Sequence, residues 1–196
     1  MYCEGMDSTA KRSPGRPRST MSHQAILAAA EELLVEHGFS NVTIDGIAAR
    51  AGVGKQTIYR WWPTKADVIL EVTAGKAEFA VPAEDRGGYA EDLRAFLSTA
   101  FTLSGDTHTA DLLRGLMVES QRRADFGDRF RTTFLEPRRH AFAAITRRAA
   151  ARGDLPPGPS PDTAADIVFG TLWYRLLTAR PGFNEQLVED LVRALT

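Results

Sequence analysis

Residues 43–62 read TIDGIAARAGVGKQTIYRWW, and the spacing within this stretch decides the fold. Thr43 precedes an apolar-periodic run, IDGIAARA, in which Ile44, Ile47, Ala48 and Ala51 line one face of a short helix. Gly52-Val53-Gly54 breaks that helix, and helical spacing resumes from Lys55 to Trp62 before Pro63 ends it. Two short helices joined by a glycine-containing turn, with small residues where they touch, are what a helix-turn-helix requires. Ala48 and Ala51 permit close approach, Val53 fills the space beneath the turn, and Ile58 packs back on Ile44 and Ala48. The second helix is then held outward.

With Ile58 pointing inward and a step of about 100° per residue, Trp61 and Trp62 fall on the buried side and Gln56 and Arg60 lie opposite. Thr57 and Tyr59 flank that outer face. Glutamine bonds bidentately to adenine and arginine to guanine, while threonine and tyrosine hydroxyls suit phosphates, so the face has the chemistry of a major-groove reader. Gln56 and Arg60 are the expected base-edge contacts.

Outward from this motif the spacing is helical almost everywhere, and no alternating run bounded by hairpin turns interrupts it, so the chain is predicted to be all-α with about nine helices. Residues 22–37 form the first helix, stopped by Gly38, and Thr64 with Asp67 makes a capping-box-like start to a helix over 65–79. Further helices are expected at 89–103, 107–122, 126–152, 161–179 and 184–195, separated by Gly87-Gly88, Gly105, Gly153, the PPGPSP run and Pro181-Gly182. Three segments follow: a flexible basic arm over 1–21, the DNA-binding domain over 22–72, and a helical ligand-binding and dimerisation domain over 73–196.

Thr43, Ile47-Ala48, Ala51-Gly52-Val53, Thr57-Ile58-Tyr59, Trp62 and Lys65 together resemble the signature of the TetR/AcrR regulators. The detailed match covers about residues 22–72, and a looser likeness to a common C-terminal variant of that family extends beyond it. The resemblance implies that Thr43 and Lys65 contact phosphates and that Lys55 and Tyr59 anchor the recognition helix. Gly46, Trp61 and the Lys55-Gln56 pair depart from the usual pattern, which bears on the operator sequence and not on the fold.

Charge agrees with a polyanion partner for one segment only. The 196-residue chain has a net charge of −1, yet residues 10–65 carry eight basic side chains against Glu31, Glu32, Glu36 and Asp45, a local balance of +4. Arg16 and Arg18 stand in a KRSPGRPRST stretch whose composition suits both a minor-groove arm and a plain solvated linker. Cys3 is the single cysteine, which rules out a disulfide framework and suits a reducing cytoplasm. No run approaches the roughly 20 apolar residues of a membrane span, and no signal-peptide core opens the chain. His23, His37, His108 and His140 lack metal-ligand spacing, and GVGKQT lacks that of a phosphate loop, so no metal, cofactor or catalytic residue is assigned.

In the C-terminal region ADIVFGTLWYRLL is apolar nearly all round, and Leu187, Leu191 and Leu195 form a stripe beside it. Ile167, Leu172, Leu176, Leu187, Leu191 and Leu195 are therefore expected at a dimer interface. Arg138 lies on the face of Phe130, Phe134, Phe142 and Ile145 and is expected to pair with Glu119. Phe101, Met117, Phe134 and Trp173 serve equally as core or as the wall of a pocket for an apolar or aromatic small molecule. The whole reads as a homodimeric repressor on a palindromic double-stranded DNA operator, released by a small-molecule effector. Its rivals are a regulator without a small ligand and a small helical enzyme.

Overall fold

In the computed structural model, which describes residues 16–75, 84–180 and 182–196, every regular element is helical. α1 (Arg16–Asn41) bends at Gly38, whose φ of 70° lies in the left-handed region. It is followed by α2 (Ile44–Ala51), α3 (Lys55–Tyr59) and α4 (Lys65–Ala74). The remainder comprises α5 (Tyr89–Gly105), α6 (Thr107–Arg122), α7 (Ala124–Phe130), α8 (Glu136–Arg152), α9 (Pro161–Leu177) and α10 (Glu185–Leu195).

Two boundaries differ from those read in the sequence. α1 starts at Arg16, so residues 16–21, expected to belong to a flexible arm, are helical; Lys11 and Arg12 lie outside the described residues. The helix expected over 126–152 arrives as α7 and α8 joined by a π-helical turn, Arg131–Leu135, with no break in the rod. α4 is described to Ala74 and its C-cap Gly75; the rest of the predicted 65–79 helix lies outside the described residues.

One continuous core runs through both halves of the chain. α1 packs on α2, α4 and α6, and α6 packs in turn on α5, α7 and α9. Ile26, Ala30, Ile47, Ile58 and Ile69 fill the N-terminal end, while Phe96, Leu116, Phe126, Phe130, Phe142 and Val168 fill the C-terminal end. A side chain at Gly115 would overlap the Phe39 ring, so only glycine lets α6 lie this close to the end of α1. Asp111 fastens the same junction by accepting from the Ser40 backbone N–H and hydroxyl. α1, against which α2 packs, and α4 are thus seated directly on the C-terminal bundle.

Candidate DNA-reading face and bundle cavity

The turn between α2 and α3 is set by local chemistry. Thr43 caps α2 by accepting from the Gly46 N–H at 3.0 Å, which engages its oxygen and leaves its hydroxyl proton to donate outward. Gly52 ends α2 at φ 65°, a conformation in which a Cβ is strained even though open space surrounds it. Ile58 is fully buried, and α3 stands outward on that anchor. Gln56, Tyr59 and Arg60 are exposed and Thr57 is half-buried, so the proposed reading side chains share one accessible face.

Trp61 corrects the helical-wheel expectation. α3 ends at Tyr59, and the turn that follows leaves Trp61 45% exposed, edge-on to the His23 ring, while Trp62 alone is buried. The Trp62 indole N–H donates to Glu71 at 2.8 Å, fixing the end of the reading unit to α4.

The cations of the segment are more committed than a charge count suggests. Arg50 is forked between Glu32 and Glu36, and both contacts hold its pKa above its usual value. Lys55 is hydrogen-bonded to Asp45, which raises the pKa of its ammonium. Lys65 turns inward: its Nζ donates to the carbonyls of Phe39, Ser40 and Val42 at 2.9, 3.3 and 3.0 Å. That ammonium caps the C-terminal end of α1, burial lowers its pKa, and all three of its protons are engaged by carbonyls instead of reaching a phosphate. Arg60 remains the exposed arginine on the reading face.

α4 connects this face to the bundle. Thr64 and Asp67 form a full capping box, and the Asp67 carboxylate, buried among neighbours, also receives Arg129 of α7 through Nε and Nη2. Arg123 stands 3.8 Å away on the same carboxylate. Neither arginine was expected here, because the pair joins positions 62 residues apart and no local spacing signals it.

Beyond that junction, α5, α6, the π turn, α8 and α9 line a partly open cavity of about 220 Å³. Met117, Phe134 and Trp173 stand on its wall, joined by Leu113, Phe169 and Leu172. Phe101 does not reach it; that ring is buried against Phe183 instead. Arg138 enters the wall from α8, with its guanidinium 3.4 Å from the Phe134 ring centroid and Nη1 donating to the Phe134 carbonyl at 2.6 Å. The expected partner Glu119 lies elsewhere, along the groove beside Lys65. Burial lowers the Arg138 pKa to about 10.

Comparison with known proteins settles the family. Residues 26–72 match the model for bacterial regulatory proteins of the tetR family, and residues 83–195 match the tetracyclin repressor-like C-terminal domain. The chain belongs to the TetR family. An uncharacterized HTH-type transcriptional regulator, YdeS of Bacillus subtilis, is 34% identical over 91% of this chain and 89% of its own length. The DNA-binding transcriptional repressor TetR of Mycobacteroides abscessus is 29% identical over 87% of this chain and 92% of its own. Among solved structures, the TetR family transcription regulator SCO0332 superposes with a TM-score of 0.72 at 28% identity, covering 87% of this chain and 94% of that one. This TetR-family protein is accordingly a DNA-binding transcriptional regulator and not an enzyme.

Within the TetR-family bundle, the predicted interface residues divide. Leu172, Leu176, Leu191 and Leu195 are buried in the protomer's own core, where α9 and α10 cover α5 and α6. Ile167 is exposed and Leu187 is half-buried. Tyr174 and Leu177, which were not singled out, join Ile167 on the outer face of α9. Among the described residues no group of three or more His, Cys, Asp and Glu is placed to hold a metal, and no helix is long and apolar enough to cross a membrane.

Proposed function

We propose that this TetR-family regulator is a repressor that binds a palindromic operator as a homodimer and leaves it when a small, largely apolar molecule fills the cavity. The observation that carries this reading is a shared helical rod. Arg129, which grips the α4 cap, and Phe134 and Arg138, which wall the cavity, stand on one continuous run from α7 through the π turn to α8. Material entering the cavity presses on Phe134, the π turn transmits the displacement along the rod, and Arg129 carries it to Asp67 and so to α4. A shift of α4 alters the spacing of the two recognition helices, which must match half-sites about 34–36 Å apart. Coupling of about 1–3 kcal/mol lowers operator affinity roughly 5–150-fold.

On the DNA side, Gln56 and Arg60 read base edges, and Thr43, Thr57 and Tyr59 hold phosphates. Lys55 joins them by exchanging Asp45 for a phosphate. Arg16 and Arg18, at the start of α1, extend the contact along the backbone. The outer face of α9 supplies the two-fold contact. A fold neighbour, FadR of Bacillus subtilis, was crystallised in complex with stearoyl-CoA, at a TM-score of 0.64 and 20% identity over 88% of this chain and 97% of that one. Its architecture therefore admits an apolar-tailed ligand.

Selection from a random duplex pool at low salt, followed by fluorescence anisotropy on the winning sequence, tests the first half. A palindrome is expected, and recovery of no preferred sequence sinks the reading. Repeating the anisotropy across an apolar ligand library tests the second half; operator affinity unmoved by any compound, with no thermal shift, leaves a regulator without a small effector.

A further inference from the structure

Five polar side chains among the described residues are buried, and four of them have partners. Asp67 receives Arg129 and Thr64, and Asp92 receives Arg148 and Arg152. The Thr73 hydroxyl donates to the Ile69 carbonyl at 2.7 Å and that of Thr146 to the Ala143 carbonyl at 3.1 Å, the usual outlet for a hydroxyl inside a helix. Ser104 is the fifth. It stands in the last turn of α5, 4% exposed, and its hydroxyl has no hydrogen-bond partner among the described residues, its own preceding turn included. Ala100 and Ser104, one turn apart on α5, both line the cavity.

The other polar groups of the wall are committed. Thr109 is hydrogen-bonded to Asp106, and Arg139 is held by Asp166 at 2.6 Å. Arg138 is engaged by the Phe134 ring and carbonyl and by a further contact beyond them. Ser104 is thus the polar group that a ligand is left to satisfy.

We propose that the effector is a neutral aromatic carbonyl compound whose oxygen accepts from the Ser104 hydroxyl while its ring lies among Met117, Phe169 and Trp173. This rests on the reading of the cavity as the effector site. One hydroxyl satisfies one carbonyl oxygen, and a hydrocarbon of the same shape leaves the buried hydroxyl unpaired. A carboxylate gives up more in leaving water than a single neutral donor returns. An acceptor suits the hydroxyl better than a donor does, because the wall carries two arginines and no Asp or Glu, which draws the electronegative end of a carbonyl dipole inward. Phe169 and Trp173 offer rings for edge and face contact with an aromatic body. Cavities of roughly 150 Å³ hold benzene, so about 220 Å³ suits a ligand of about nine heavy atoms.

Acetophenone, cumene and benzoate have nearly equal size and differ in the group offered to Ser104, so calorimetric titration of the full chain with each decides the matter. Acetophenone is expected to bind about fivefold more tightly than cumene, the weight of one neutral hydrogen bond, and more tightly than benzoate. Ser104→Ala removes only the hydroxyl from a helix that tolerates alanine, and should bring acetophenone to the affinity of cumene while leaving cumene within about twofold. The Met117 methyl resonance, assigned through Met117→Leu, should shift with both ligands and so place them in the cavity. Acetophenone binding no tighter than cumene, tighter binding of benzoate, or an acetophenone preference that survives Ser104→Ala overturns the carbonyl assignment while leaving the effector cavity standing. Binding of none of the three, or binding that leaves Met117 unmoved, removes the cavity reading and the assignment together. Should Ser104→Ala not fold by circular dichroism, the infrared carbonyl stretch of acetophenone bound to the wild type gives the same decision. It must lie below its frequency in hexane, where no donor is present; a hexane-like frequency overturns the proposal.

Discussion

Arg129 of α7 donates through Nε at 3.0 Å and Nη2 at 2.5 Å to Oδ1 of Asp67, whose Oδ2 accepts the backbone N–H and hydroxyl of Thr64 at the start of α4. One carboxylate therefore serves two purposes, ending the reading unit correctly and tying it to the bundle. Because Asp67 is buried while Arg129 is half-exposed, the pair is stabilising chiefly by satisfying an anion that folding has removed from water.

Arg129→Ala should lower stability by about 1–3 kcal/mol, the cost of a buried acceptor losing its donor, with Arg123 softening the loss. Urea denaturation measures this. The same variant should reduce the effector's leverage on operator affinity toward none, because the link between cavity wall and α4 is cut. An unchanged ratio of affinities with and without effector would show that the signal travels by another route.

Lys65 and Arg60 separate structural from reading roles. Lys65→Met removes the donor from three carbonyls at the end of α1 and should cost about 1–3 kcal/mol of stability. The salt dependence of operator binding should not change, since no phosphate contact is lost. Arg60→Ala should leave stability within about 0.5 kcal/mol and cost about 1–3 kcal/mol of discrimination at one position per half-site. A flatter salt slope for Lys65→Met would return that residue to the DNA surface.

These contrasts show what the residues disclosed before any fold was known. The glycine turn, the buried Ile58, the Thr64 and Asp67 cap and the helical class were legible because each is a local pattern within a few residues. Periodicity also identified the apolar faces of α9 and α10. It could not say whether Leu172, Leu176, Leu191 and Leu195 meet their own protomer or a second one, because an apolar stripe has the same spacing in either case. Lys65 and Arg138 were misplaced for a related reason: their partners, the Phe39 and Phe134 carbonyls, are backbone groups that no side-chain motif announces. Trp61 failed because α3 stops at Tyr59, so a helical wheel no longer applies beyond it.

Asp45 restrains Lys55 at the edge of the reading face. Asp45→Asn should free that ammonium to meet a phosphate without a competing carboxylate, raising affinity for random-sequence DNA. The plot of log affinity against log salt should steepen by about one unit. Equal slopes for wild type and variant would show that Lys55 does not touch DNA.

Acid stability should report on Asp92, which is buried between α5 and α8. Burial is the largest single influence and opposes ionisation, but the Arg86 N–H, Arg148 and Arg152 together outweigh it and hold the carboxyl below its usual value. A lowered folded pKa stabilises the protein above the unfolded value of about 3.9 and is lost as pH falls through the folded value. Asp92→Asn should therefore be less stable near neutral pH and lose less on acidification below about pH 4. Parallel stability curves for the two proteins would exclude this carboxylate as the cause.

The exposed face of α9 carries the last expectation. Ile167, Tyr174 and Leu177 are 39%, 58% and 50% exposed at steps that keep them on one side of the helix, and Gly170 leaves an open notch between them. In a two-fold contact each residue lies near its own symmetry mate, so one substitution places two like charges in the interface. Tyr174→Glu should therefore shift the protein to monomer at about micromolar concentration while leaving the protomer folded. Leu191→Ala should do the reverse, lowering stability by about 2–5 kcal/mol without weakening association, because that side chain is buried within its own protomer. Sedimentation velocity and thermal unfolding on both variants separate the two effects. A Tyr174→Glu protein that sediments as a dimer would move the two-fold contact off α9, and with it the spacing argument for how the recognition helices reach a palindrome.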